Sequence, residues 1–583
     1  MTQQGIEWFR NARFGMFLHW GLYALPGGRW KGETMDYIGE WIQSRFRIPN
    51  REYAELAKRF NPAGFDAAEW IRLAKAAGIR YIVYTAKHHD GFAMYHSKVS
   101  AFNITDATPF GRDPLRELAD ACREQQVGLG IYYSHHLDWH EPDGGDPSPA
   151  CGKNRDGMSW GNDWDFPDRK AKNFDRYFEG KALPQITELL TGYGPVAELW
   201  CDCPLDMDRK YSEKLRALVK QLQPECMINS RIGNGCGDFE SLGDNQIMLG
   251  RAALPAESPI TLNDTWGFKY DDHNWKSPEF VARRLASLAD RNANCLLNIG
   301  PGPDGRFPDG AVAVLKALAP WHRETAGMIS GSTPNPFPQE LPWGYCTATG
   351  NRLNLFIRDW TTPLRLNGIR NRVTAASVPF RQEGDSVILE LPARQPESLL
   401  PAVTVTLDGP PRIDSRLMPQ NGTLNLAPGT GRLIHGNGSA DGVSTAAQRD
   451  EAGEATLQTQ HSLPVRDGTL AQWHNPDDAI EWEVVFPEGG SYRVEVETVQ
   501  RLHSHPWIGG RRVELCWNDN RIEAELRCDR ITDPGSYHPA AASEIGTIQA
   551  AAGDTGILRL RTTALTDPAA GDMNLVGVWL TRI

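Results

Sequence analysis

Cysteine is scarce in this chain, with ten residues in 583. No Cys-X-X-Cys pair occurs, and Cys201 and Cys203 are alternate residues around Asp202. That spacing suits neither a disulfide framework nor a zinc site, so reduced, buried thiols are expected. No run approaches the roughly 18 apolar residues that a membrane span needs. Met1 to Phe17 lacks an uncharged hydrophobic stretch after a basic start. No secretion signal is therefore read there, and a cytoplasmic location is the expectation. Positive charge is in deficit: 61 Lys and Arg against 73 Asp and Glu, a formal net charge of −12. That balance argues against a nucleic-acid partner, and the missing apolar runs argue against a membrane partner. His-Glu-X-X-His is absent, as are internal repeats and long charge runs. The one His-X-His, His503-Ser504-His505, lies far toward the C-terminus.

Apolar residues make up 40% of the chain, enough for packed cores. At roughly 150–250 residues per domain the length predicts two to four domains. Tryptophan is abundant, at 19 residues. Indole is costly in a core unless its N–H finds a partner, and its flat faces suit sugar rings. Several tryptophans here stand beside His, Glu or Asp rather than inside aliphatic runs.

The first ~330 residues alternate short β-rich runs with amphipathic stretches. Strands are expected at Phe14–Leu18, Arg80–Thr85, Val127–Ser134, Ala197–Asp202, Met227–Arg231 and Cys295–Ile299. Helices are expected at Asp66–Ala77, Pro114–Gln125, within Phe174–Gly194, at Tyr211–Leu222 and at Pro278–Arg291. Near-continuous apolar strands alternating with helices mean a parallel sheet. Polar residues gather at the strands' C-terminal ends, which favours a (β/α)8 barrel with its active site at that end. The sixth and seventh units, between about 232 and 277, show no clear pattern. After about 335, short β runs at tight spacing with Gly and Pro between them predict antiparallel sandwiches. Asn421–Ala455 reads as a linker or a loose domain edge, and β runs resume from about 465. The architecture expected is multidomain α/β plus all-β: a TIM-like barrel over 1–335, a β-sandwich over 336–412, and a further β-sandwich over 413–583. The last is read equally as carbohydrate-binding or as purely structural.

Asp202 ends an apolar strand beside Trp200. A carboxylate at the mouth of a barrel strand is expensive to bury without a purpose, whereas a plain helix cap is the ordinary alternative. Glu40 and Glu257 would each be ordinary alone. His19, His88 and His89 fall at strand ends, and His135, His136 and His140 follow the third strand. They are read either as metal ligands of a barrel hydrolase or as hydrogen-bonding groups of a sugar pocket. Alternation along an extended chain would point His88 and His89 to opposite sides, which disfavours a shared ion. Trp20, Trp41, Trp200 and Trp266 each lie near a polar candidate, the composition of a small-ligand pocket.

Seven segments in order carry a resemblance: Arg13-Phe14-Gly15-Met16-Phe17-Leu18-His19-Trp20-Gly21, Glu40-Trp41, Thr85-Ala86-Lys87-His88-His89-Asp90-Gly91-Phe92, Gly130-Ile131-Tyr132-Tyr133-Ser134, Leu199-Trp200-Cys201-Asp202, Asn263-Asp264-Thr265-Trp266-Gly267 and Leu297-Asn298-Ile299-Gly300-Pro301. Together the segments span about half the chain, and the chain resembles the α-L-fucosidases of glycoside hydrolase family 29. The resemblance implies a retaining exo-hydrolase of terminal α-L-fucose acting on oligosaccharides or glycosides, with no metal or organic cofactor. It implies Asp202 as nucleophile and His19, Glu40, Trp41, His88, His89, Tyr132, Trp200 and Arg231 as sugar-binding residues. Trp266 would face the pocket. The family's acid/base lies at no single alignable place; Glu257 is preferred, with Asp244 and Glu240 as rivals. Cys203 stands where a glycine is common. A metal-dependent hydrolase and a non-catalytic fucose-binding protein are the alternatives, and a homo-oligomer is compatible with all three.

Overall fold

The computed structural model describes residues 2–145, 160–246, 248, 251–252, 254–434, short pieces between 440 and 473, and 478–499, 510–532, 540–565 and 573–583. His503, His505 and Trp507 lie outside the described residues.

Eight parallel strands build the N-terminal part among the described residues: β1 (Phe14–Leu18), β2 (Tyr81–Lys87), β3 (Gly128–Tyr133), β4 (Glu198–Cys201), β5 (Met227–Ile228), β6 (Glu240–Ser241), β7 (Ala256–Thr261) and β8 (Ala293–Ile299). Each pairs with its sequence neighbour, and β1 pairs with β8 through Phe14 opposite Cys295. A parallel bridge between Asn229 and Phe239 joins β5 to β6 and closes the ring. The sheet is the expected barrel. Strand positions alternate around it, with Phe17, Tyr81, Val83, Tyr132, Trp200 and Leu296 meeting in one buried cluster inside. Opposite positions such as Leu18, Ile131 and Leu199 face the surrounding helices.

The helices between strands obey local signals. α1 (Ala67–Ala76) starts where the Asp66 carboxylate accepts the Glu69 N–H, and it buries Trp70, Ile71, Leu73 and Ala74. It ends at Gly78, whose φ of +98° leaves no room for a side chain beside the His322 ring. α2 (Pro114–Gln125) carries Asp113 as its cap and proline in its first turn. α3 (Leu183–Gly192), α4 (Arg209–Leu222) and α5 (Pro278–Asp290) continue the pattern. In the poorly patterned stretch between about 232 and 277, β6 has two residues and loops link it to β5 and β7, while α5 follows β7.

Beyond the barrel, Gly344–Thr349, Arg352–Ile357, Ala402–Leu407 and Val373–Ala376 form one antiparallel sheet, and Leu364–Leu366, Ser386–Leu389 and Phe380–Glu383 another. Leu353, Leu355, Leu364, Leu389 and Val405 pack between them. Two larger antiparallel sheets come next, with Trp473, Trp482 and Trp517 fully buried in their common core. Those indoles are sandwich core, so they do not form a sugar surface. The linker reading of Asn421–Ala455 fails at its start. Thr423–Leu426 pairs with the C-terminal strand Met573–Arg582, and Leu424 and Leu426 are buried there.

Candidate active site

The residues just past each strand end build the mouth of the barrel. β4 ends at Cys201, and Asp202 stands at its lip. Asn229 braces this end, accepting the Cys201 N–H and donating to the Cys201 carbonyl, each at 2.9 Å. After β5 a short turn, Ser230–Ile232, lifts Arg231 over the Trp200 ring, 4.7 Å from its centroid. The guanidinium then holds two carboxylates. Nη1 donates to Asp202 at 3.0 Å and Nη2 to Asp244 at 2.6 Å. Tyr132 donates its hydroxyl to the other Asp202 oxygen at 2.9 Å. Burial pushes the Asp202 pKa up, but the Arg231 charge and these hydrogen bonds outweigh it, and the net result lies below the ordinary carboxylate value. Asp202 is ionised at neutral pH.

The Lys87–Phe92 segment explains itself residue by residue. Lys87, fully buried at the end of β2, pairs with Asp138 at 3.1 Å, and Lys181 pairs with the same carboxylate at 3.0 Å. Two cations on one acid offset the cost of taking it out of water and pin the 135–140 loop against the barrel. Asp90 accepts from the Tyr53 hydroxyl and the Phe92 N–H. Gly91 has a φ of +76°, and a Cβ there would stand 2.3 Å from an Asp138 oxygen. This turn carries His88 and His89 past the strand end, so strand alternation does not separate them. Their ring centroids are 4.1 Å apart.

The imidazoles are uncharged. Burial lowers the pKa of His19 and of His89 to about 4, and lowers that of His88 as well. Their tautomers follow from their partners. Asn298 donates its amide N–H to the Trp266 carbonyl at 2.8 Å, so its oxygen accepts from His19 Nδ1 at 2.7 Å. Ser134 gives its hydroxyl proton to the Leu137 carbonyl and so accepts from His89 Nδ1 at 2.7 Å. Both residues therefore present a bare Nε2 as an acceptor. Asn298 and Ser134 act on the site although neither is among the site residues expected from sequence. The signal for Asn298 is an amide inside the apolar run CLLNI.

Around these imidazoles stand Trp266, 5.3 Å from His19, and Trp41, 5.2 Å from His89. Tyr132 stacks on His88 and on Trp200. Glu40 accepts the Gly267 N–H at 2.8 Å. Burial raises its pKa to about 8, and the charges of Asp244 and Asp202 add to that. Trp20 is core: its N–H donates to the Gly302 carbonyl, and its ring packs on Trp70 and Phe65.

The structure thus brings His19, Glu40, Trp41, His88, His89, Tyr132, Trp200, Asp202, Arg231, Asp244 and Trp266 to one pocket and leaves Glu257 out of it. Glu257 is the second residue of β7, opposite Asn294 near the start of β8, toward the barrel's N-terminal end and fully buried. Its oxygens accept from the Tyr81 hydroxyl at 2.5 Å and from the Trp200 indole N–H at 2.9 Å. Burial raises its pKa to about 7, which suits an acid, but the Trp200 side chain stands between it and the mouth. Glu240 opens β6 in register with Ala256, which packs in the outer core, so strand alternation turns it away from the barrel interior that Glu257 faces. Asp244 alone of the three rivals touches Arg231 at the mouth, with 43% of its side chain exposed. The histidines do not converge on one point. Among the described residues, the set of His, Cys, Asp or Glu ligand atoms lying within 4.8 Å of one another is His89, Asp202 and Cys203. No described helix is long and apolar enough to cross a membrane.

The chain is similar to known proteins. A family model described as Alpha-L-fucosidase matches residues 2–326. The putative alpha-L-fucosidase of Caenorhabditis elegans is 28% identical over 352 residues, covering 56% of this chain and 67% of that protein. Tissue alpha-L-fucosidase of Homo sapiens is 26% identical over 349 residues, covering 56% and 69%. The crystal structure of alpha-L-fucosidase from Vibrio sp. strain EJY3 superposes with a TM-score of 0.80 at 26% identity, covering 100% of this chain and 98% of that one. Alpha-L-fucosidase AlfC from Lactobacillus casei, in complex with alpha-L-fucose product, is 47% identical with a TM-score of 0.53, covering 56% of this chain and 99% of that one. A pocket lined by neutral imidazoles and indoles around an ionised aspartate, on a barrel matched over residues 2–326, leads to one conclusion: the chain belongs to the alpha-L-fucosidase family of glycoside hydrolases.

Proposed function

We propose that the enzyme removes terminal α-L-fucose with retention, by double displacement between Asp202 and Asp244. One observation carries this reading: a single guanidinium, Arg231, holds both carboxylates at the mouth. Sharing one guanidinium puts the two acids side by side at the mouth, and a retaining pair works at roughly 5–5.5 Å. Asp202 attacks the anomeric carbon as its ionised form, and Asp244 protonates the departing oxygen. A water then enters on the Asp244 side, gives its proton back to that carboxylate, and releases α-L-fucose. The exposed flank of Asp244 is where an aglycone has room. The bare Nε2 atoms of His19 and His89 accept from sugar hydroxyls, and the protonated Glu40 donates. Trp266 and Trp41 supply the apolar walls.

The substrate class is that of the relatives. A variant of AlfC is known in complex with Fuca(1,6)GlcNAc, and that disaccharide is the first natural substrate to test here. A reducing, cytoplasmic setting goes with this reading, supported by nine free thiols among the described residues. The test is turnover of an aryl α-L-fucoside followed by proton NMR from the first seconds. α-L-fucose is expected as the first-formed anomer; first-formed β-L-fucose would overturn retention.

Glu40 sets a pH dependence. Its raised pKa keeps it protonated at neutral pH, and raising the pH through about 8 ionises it. That removes a donor and adds a negative charge beside Asp202. kcat/KM is therefore expected to fall above about pH 8. In Glu40→Gln the donor stays and the charge cannot form, so this alkaline limb should move upward. A limb unchanged in the variant would assign it to another group.

A further inference from the structure

We infer that His89, Asp202 and Cys203 form a binding site for a soft divalent cation of the zinc or cadmium type, and that its occupancy shuts the enzyme off. The inference rests on the assignment of Asp202 as nucleophile for its functional consequence, though not for binding itself. Three kinds of donor meet here: an imidazole nitrogen, a thiol sulfur and a carboxylate oxygen. The Cys203 Sγ is 3.7 Å from His89 Nε2, and His89 Nε2 is 3.7 Å from Asp202 Oδ2. Zinc bonds of about 2.3 Å to sulfur and 2.0–2.2 Å to nitrogen and oxygen, set tetrahedrally, place ligand atoms roughly 3.3–3.6 Å apart. These two separations exceed that by a few tenths of an ångström at most, and the sulfur lies within 4.8 Å of the carboxylate.

The imidazole is already oriented for the role. Ser134 holds the proton on His89 Nδ1, so the Nε2 lone pair points at the other two donors. An outer partner of this kind fixes the tautomer in metal sites generally. A lone pair facing a carboxylate at 3.7 Å is unfavourable unless something positive stands between them. The Cys203 thiol, within reach of both acceptors, supplies its proton there while no sugar is bound. Binding replaces it: the S–H bond breaks, a sulfur–metal bond forms, and the proton leaves to solvent. The fourth position stays open toward the mouth, since Cys203 is partly exposed. Sulfur and nitrogen donors favour zinc and cadmium over magnesium or calcium. Once Asp202 coordinates an ion, its lone pair no longer attacks the sugar, so the effect is inhibition competitive with fucosides.

Cys203 is the residue to vary. It holds a φ of +47°, a conformation that glycine adopts without strain, so Cys203→Gly should fold well, and Cys203→Ser tests the sulfur alone. Cadmium is titrated into the purified protein and the near-ultraviolet thiolate-to-metal band is recorded. Inhibition by zinc is measured as a fraction of each variant's own metal-free rate. The band is expected in the wild type and absent from Cys203→Ser at the same metal concentration. Zinc inhibition should weaken in both variants by more than the ~10–100-fold that loss of an outer-shell partner costs. Equal zinc inhibition of wild type and both variants, or a cadmium band that survives in Cys203→Ser, would overturn the site. Because the band needs no turnover, a failure of the fucosidase reading would leave this result distinguishable.

Discussion

Asp202→Ala is expected to lose roughly four to six orders of magnitude in kcat/KM on an aryl α-L-fucoside while remaining folded, the scale seen when a covalent nucleophile is removed. Four orders correspond to about 5.5 kcal/mol of transition-state stabilisation. The reasons are electrostatic and geometric. Tyr132 and Arg231 each donate to one Asp202 oxygen, so the carboxylate is held ionised and aimed, and alanine removes both the attacking atom and the reason for that arrangement. Folding should survive, because Arg231 keeps Asp244 and the Leu242 carbonyl as partners. Azide makes the test specific. An external anion entering the space left by the carboxylate attacks from the nucleophile's side, so it inverts the centre, and the product is β-L-fucosyl azide. Rescue that yields the α-azide, or a variant of undiminished activity, would remove Asp202 from the nucleophile's position.

The barrel is legible in the sequence because its first five strands and its last are apolar runs punctuated by capped helices, and physics leaves such runs few other fates. Phe14–Leu18 and Pro114–Gln125 are found at their expected bounds. The mouth is legible for the same reason: a polar residue directly after a buried strand has one place to be. β6 and β7 are not legible. β6 is two residues long, too short for any periodicity to show. β7 carries Pro259 in its middle and follows Pro255, so its sequence, Pro-Ala-Glu-Ser-Pro, has the composition of a loop. The proline is tolerated because β6 pairs with β7 only at Ala256 and Glu257, leaving Pro259 beyond the last ladder partner on that side. By composition Glu257 therefore reads as a loop acid at the mouth, whereas it is a strand acid facing inward. No local pattern places Asp244 on Arg231 either, since that contact depends on the β5 and β6 loops folding toward each other. The tryptophans divide along the same line: Trp41 and Trp266 line the pocket, while Trp473, Trp482 and Trp517 are core.

The second large effect separates Asp244 from Glu257. Asp244→Ala should lower kcat/KM by ~10²–10⁴ on fucosides with poor leaving groups, the usual worth of a positioned general acid. The loss on a dinitrophenyl fucoside should be much smaller, because a phenolate of low basicity leaves without a proton. Its deglycosylation should then become rate-limiting, since the same carboxylate activates the water. Azide accelerates that step by attacking the fucosyl-enzyme, and a second inversion gives α-L-fucosyl azide, the opposite anomer to that from Asp202→Ala. Glu257→Gln should behave differently in kind. Glutamine keeps one acceptor oxygen for Tyr81 or Trp200 but turns the other acceptor into a donor, against the hydrogen bonds Glu257 now accepts. The expected cost is about 1–3 kcal/mol of stability, the penalty of an unsatisfied buried group. Activity should fall by a similar factor on every leaving group, because Trp200 and the Arg231 resting on it shift together. Product analysis decides the matter. The α-azide from Asp244→Ala and no azide product from Glu257→Gln would place the proton donor at Asp244. The reverse result would return it to Glu257 and require the Trp200 indole to swing aside during turnover.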